Sequence, residues 1–151
     1  MSNKLEIAVR LSERRERTHE QFLKQLASDS FSGLFSQLGI ENYKIVRSFK
    51  EPHLKSEEGP SPDFVFLYLH NGWNLLLVEL KGRHTTNSLR TLDNDIEGIK
   101  GYVASDTDRS RLYRLLGEEV PVKVLQSCRM RVAGVYMTKQ KNLRVHRVED
   151  I

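Results

Sequence analysis

The sequence predicts one α/β domain, and three observations predict it. Two apolar segments, Phe64 to Leu69 and Trp73 to Leu80, carry the Val, Leu, Phe, Tyr and Trp typical of buried strands, and the Asn71-Gly72 dipeptide between them is a strong hairpin signal. Apolar residues at helical spacing lie on both sides of that hairpin. The chain has 151 residues, 38% of them hydrophobic, enough for one proper core and too few for two, so residues 1–151 read as a single domain.

Each element follows from local chemistry. Residues 1–17 are charged, with Arg10, Arg14, Arg15 and Arg17 clustered. Thr18-His19-Glu20-Gln21 reads as a capping box, Thr18 as N-cap and Gln21 reaching back. It opens a helix or broken helix pair that buries Phe22, Leu23 and Leu26 and runs to Leu38, where Gly39 stops it. Tyr43 to Phe49 predicts a first strand, with Tyr43, Ile45 and Arg47 on one face and Lys44, Val46 and Ser48 on the other. Lys50 to Ser61, with Pro52, Gly59 and Pro60, is a loop leading to the hairpin. Helices are expected from Thr91 to Ala104 and from Arg109 to Leu116, the second stopped by Gly117. Arg131 to Met137 reads as a core strand and Asn142 to Val148 as a final edge strand.

Within the hairpin, the polar residues are informative because a buried strand normally has no use for them. Side chains two apart on a strand share a face, so Glu79 and Lys81 point the same way. The register decides whether Asp63 joins them. A two-residue loop would pair His70 with Trp73 and leave Asp63 on the opposite face. A three-residue loop, His70-Asn71-Gly72 with Gly72 in the left-handed position of a bulge, pairs Leu69 with Trp73 and sets Asp63 across from Glu79. The bulged register is the expectation. Two carboxylates and an ammonium then converge at one sheet edge, an arrangement suited to a small divalent cation with oxygen ligands.

Pro62-Asp63 followed by Glu79-Leu80-Lys81 resembles the signature of the PD-(D/E)xK nuclease superfamily. The likeness spans roughly residues 18 to 102, and the Glu-Leu-Lys-Gly ending with a helix after it is similar to the Shedu-type and Mrr-like branches and to small phage junction resolvases. The resemblance implies a restriction-endonuclease-like core, a mixed central β-sheet whose catalytic hairpin is flanked by helices. It implies an endonuclease that hydrolyses phosphodiester bonds in DNA with Mg²⁺ or Mn²⁺. Asp63 and Glu79 would hold the metal with the main-chain carbonyl of Leu80, and Lys81 would position or activate the attacking water. Glu20, in the first turn of its helix, is a further candidate, either reaching the metal or complementing the helix dipole. Where the family often places a Gln on the helix after the hairpin, Glu97 is the nearest polar residue. The family also raises assembly as a homodimer that cuts both strands.

The formal net charge is +4 and the sequence pI is near 9.3, which permits nucleic-acid binding. Arg83, His84 and Arg90 follow the lysine and are the first candidates for phosphate contacts. Lys123, Arg129, Arg131, Lys139, Lys141, Arg144, His146 and Arg147 crowd the C-terminal third, either extending that track or guarding an edge strand from aggregation. Tyr68 and Trp73 read as core aromatics, and His53, His70 and His84 lack a spacing that would converge on zinc. Cys128, alone, reads as a small core or edge residue. The apolar runs stop at strand length and the N-terminus does not read as a signal peptide, so a cytoplasmic protein with no membrane partner is expected. The rival class is a catalytically inactive module that keeps the nuclease fold to bind nucleic acid or a protein partner.

Overall fold

A computed structural model describes residues 31–50, 62–81, 86–104, 121–140 and 142–151. The expectations for the N-terminal arginines, Thr18, Glu20, Gln21, His53, Arg83, His84 and the helix from Arg109 to Leu116 lie outside those residues. The described chain is α/β. Its elements are α1 (Ser32–Gln37), β1 (Lys44–Lys50), β2 (Phe64–Leu69), β3 (Trp73–Lys81), α2 (Thr86–Ala104), α3 (Val122–Ser127), β4 (Arg129–Met137) and β5 (Leu143–Asp150). The strands form one sheet in the order β1-β2-β3-β4-β5. Neighbours are antiparallel except β3 and β4, which run parallel. That one parallel pair requires a long crossover, and α2 lies within it.

Alternation along the central strands sends side chains to two cores. On one face, Val65, Leu67, Leu75, Leu77, Met130 and Val132 pack against Leu92, Ile96, Ile99 and Val103 of α2. On the other, Phe64, Phe66, Tyr68, Leu76, Val78, Leu80, Ala133 and Val135 pack with Leu34 and Phe35 of α1. Strands covered on both faces read as continuous apolar runs, which is why Phe64–Leu69 and Leu75–Val78 lack polar positions.

The hairpin has the bulged register, with Leu69 opposite Trp73 and Phe64 opposite Val78. Asn71 takes a left-handed φ of 51° and Gly72 follows at 116°, so two residues, not Gly72 alone, carry the positive φ that the turn needs. The buried Asn74 amide closes the turn by donating to the carbonyls of His70 (2.9 Å) and Gly72 (3.1 Å).

Several boundaries differ from the sequence expectation. The helix after the hairpin begins at Thr86, five residues before Thr91, because a polar first turn that reads as loop still propagates the helix; the Thr91 hydroxyl donates to Asn87 O. The short helix α3 is additional, opened by Pro121, whose carbonyl accepts from Val124 and Leu125. In β1 a bulge between Ile45 and Arg47 breaks the expected alternation: Ile45 stands opposite Tyr68 but Arg47 opposite Leu67, so Ile45 and Arg47 face different sides and Val46 is 37% exposed. Gly39 ends α1 as expected, with φ 70° and its N–H on Ser36 O.

Candidate active site

The bulged register carries past the last hairpin pair. Asp63 N–H donates to Val78 O at 2.9 Å, which places Asp63 beside Glu79 on the adjacent strand. Val65 and Leu67, Leu75 and Leu77 face α2, so two-residue alternation puts Asp63, Glu79 and Lys81 on that same face. The face is therefore greasy at one end and charged at the other. The Asp63 carboxylate accepts from Leu80 N–H at 2.7 Å, which fixes it against the end of β3. Because the N–H and C=O of a strand residue point to the same neighbour in an antiparallel pair, the Leu80 carbonyl is directed to that same β2 edge.

Glu79 is only 8% exposed. Burial drives its carboxyl up to about 9, and the adjacent Asp63 and Asp95 carboxylates push in the same direction, while Lys81 opposes them. Glu79 also shares a hydrogen bond with Asp63. Adjacent carboxyl groups disfavour each other's ionisation, and burial adds to that effect at Glu79.

The burial has a backbone cause. Gly134 of β4 is paired with Glu79, and a Cβ there would lie 2.6 Å from Ile96 Cδ1 and 2.8 Å from Leu92 Cγ. The missing side chain lets α2 close down on the sheet beside Glu79. That approach also delivers Asp95, whose Oδ2 is 3.2 Å from Lys81 Nζ. Tyr136, the β4 partner of Lys81, completes the rim, with its ring edge-on to His146.

Glu97, the expected polar residue of this helix, is not the one at the site. It pairs with Arg147 of β5, and Asp95 stands by Lys81 instead. Asp95 follows the buried Leu92 by three residues and so lies near the sheet-facing stripe, whereas Glu97 is turned away from it. Asp95 and Tyr136 were the residues that sequence reasoning missed, and that i, i+3 relation to Leu92 was the available signal for the first.

The cationic C-terminal third is largely committed to the fold. Arg147 lies against Asp93, Glu97 and Glu149, Lys100 against Glu149 at 2.7 Å, and His146 against Asp93 at 2.9 Å. Arg129 pairs with Asp150, and Arg131 donates to the Tyr68 hydroxyl. These side chains tie β5 to α2 and to the sheet. Arg90 is exposed on α2, five residues before Asp95, and Lys123 and Lys139 are exposed as well.

The donor set suits a hard cation. Among the described residues no three His, Cys, Asp or Glu side chains group to hold a metal; the oxygen donors at this sheet end are the Asp63 and Glu79 carboxylates and the Leu80 carbonyl. Oxygen ligands with retained waters are the preference of Mg²⁺. Among the described residues no helix is long and apolar enough to cross a membrane. The chain matches no protein-family model, no curated protein and no solved structure.

Proposed function

We propose that this is a restriction-endonuclease-like domain that hydrolyses phosphodiester bonds in DNA with Mg²⁺ or Mn²⁺. The observation that carries the reading is the pair Asp63 and Glu79, side by side on adjacent strands at a sheet end with Lys81 on the same face. A bound divalent cation would polarise a phosphate oxygen and acidify water at that edge. The residues supply the rest. Asp63, locked by Leu80 N–H, and Glu79, released from its proton, provide the negative cradle. Lys81 orients the attacking water and offsets the charge that builds on phosphorus, a role open to a compact ammonium. Asp95 holds that ammonium at the rim until substrate arrives. Arg90, exposed on α2, is a candidate for contact with the DNA backbone, with Arg83 and His84 as further candidates from the sequence.

A second reading, a nuclease-like module that binds nucleic acid or protein without cutting, is favoured by one observation: Lys81 already has an acidic partner, and β5 spends its cations on α2. One assay separates the two. Supercoiled plasmid incubated with Mg²⁺ or Mn²⁺ should be nicked, EDTA should stop it, and Lys81→Ala should lower the rate by about a hundredfold or more. Nicking that persists undiminished in Lys81→Ala rejects the mechanism, and a wild-type protein inert with both metals leaves the binding module standing.

A further inference from the structure

The opposite end of the sheet carries a separate cavity of about 380 Å³. It opens between the hairpin turn, the Leu38–Ile40 segment after α1 and the start of β4. From Asn74, in its wall, to Glu79 is five strand residues, roughly 17 Å at the usual rise. The cavity therefore does not belong to the acidic site.

Its lining is one-sided in charge. Arg129 and Arg131 contribute donors and His70 an imidazole, and among the described residues no acidic side chain lines it. Arg131 is the unusual member. It occupies the strand face that goes on to Ala133 and Val135, an apolar core, so its position calls for a greasy residue. Its guanidinium donates to the hydroxyl of Tyr68, which is 1% exposed, at 2.8 Å. That bond uses one of five guanidinium donors and holds the fork in a fixed orientation at the cavity wall. Arg129 is held by the exposed Asp150, a surface pair that a dianion in the cavity can outcompete.

We propose that this cavity binds a phosphate monoester. Two guanidinium groups and an imidazole suit a group of nearly two negative charges better than a single carboxylate. The volume is within the range of small-ligand pockets. A free nucleoside monophosphate and the 5′ end of a nucleic acid strand share this chemistry.

Trp73 is the only tryptophan in the chain, so its fluorescence reports on this cavity. The full chain, kept in EDTA so that the acidic site plays no part, is titrated with AMP, with adenosine, and with a short oligonucleotide bearing either a 5′-phosphate or a 5′-hydroxyl. Excitation is at the red edge of the indole band. The proposal expects a saturable emission change with AMP, with the 5′-phosphorylated strand, or with both, and none with adenosine or the 5′-hydroxyl strand. Which of the two phosphate probes binds assigns the source. Arg131→Met should weaken the phosphate probe by about tenfold or more. Since that change also removes the partner of Tyr68, the exposed Arg129→Gln serves as a second variant and should weaken it severalfold. Equal response to adenosine, no saturation by either phosphate probe up to about 5 mM, or unchanged affinity in folded Arg131→Met and Arg129→Gln would overturn the proposal.

Discussion

Two glutamates on the same face of the sheet meet opposite electrostatic fates. Glu149 of β5 lies between Lys100 and Arg147, and hydrogen bonds from both hold its carboxyl below the usual carboxylate range. Glu79 of β3 is buried beside Asp63 and Asp95, with only Lys81 opposing them, and its carboxyl rises to about 9. The first belongs to a closed ladder in which the fold supplies every countercharge. The second belongs to a cluster with more acid than base. Strongly perturbed carboxyls of this kind are enriched where a protein meets a ligand. The contrast separates a carboxylate whose countercharges the fold supplies from a carboxyl that the fold sets beside other acids.

The largest expected effect tests the Glu79 side. Its folded value is raised above the unfolded one, so the metal-free fold holds a proton that the unfolded chain releases. Stability from this group is full below about 4.5 and is lost as pH rises through about 9. Denaturant melts in EDTA should show stability falling over that window by at most about 1.4 kcal/mol per pH unit. Glu79→Gln should flatten the slope. A slope unchanged in Glu79→Gln would mean that the burden lies elsewhere.

An intermediate effect comes from the glycine that brings α2 down over the pair. Gly134→Ala puts a methyl into Leu92 and Ile96, and overpacking of this kind should destabilise the fold by about 1–3 kcal/mol. It should also open the site, lowering the Glu79 value towards normal and weakening the pH slope. Stability equal to wild type would show that α2 is not pressed onto the sheet there.

The smallest effect belongs to β5. Glu149 has a lowered folded value, so its contribution is present above the unfolded pKa and fades as pH falls through the folded one. Glu149→Gln should therefore cost a little stability at neutral pH, nothing once both states are protonated, and less in high salt. A large loss at neutral pH would mark the ladder as a keystone and blur the contrast with Glu79.

The hairpin was legible in the sequence because two local signals agreed. Asn71-Gly72 demanded positive φ, and only the bulged register gave Asp63, Glu79 and Lys81 a common face. Long-range pairing was not legible. Nothing local in the C-terminal third says that His146 will find Asp93, 53 residues away, or that Arg147 will find Glu97, 50 away, so those cations looked free for phosphate. The β1 bulge was hidden for a related reason: Val46 and Arg47 look alternately placed until β2 sets the register. Asp95 is legible in part: its i, i+3 relation to Leu92 places it near the sheet-facing stripe, but that it meets Lys81 while Glu97 meets Arg147 depends on pairing across the fold.

The central claim is that Asp63 and Glu79 form a cation site, and calorimetric titration with Mn²⁺ tests it most directly. Wild-type protein should take up about one ion per chain and gain roughly 1.4 kcal/mol of stability at ten times the dissociation constant, while Glu79→Gln should bind at least about tenfold more weakly. Absence of binding by the wild type, or equal binding by a folded Glu79→Gln protein, would contradict the account.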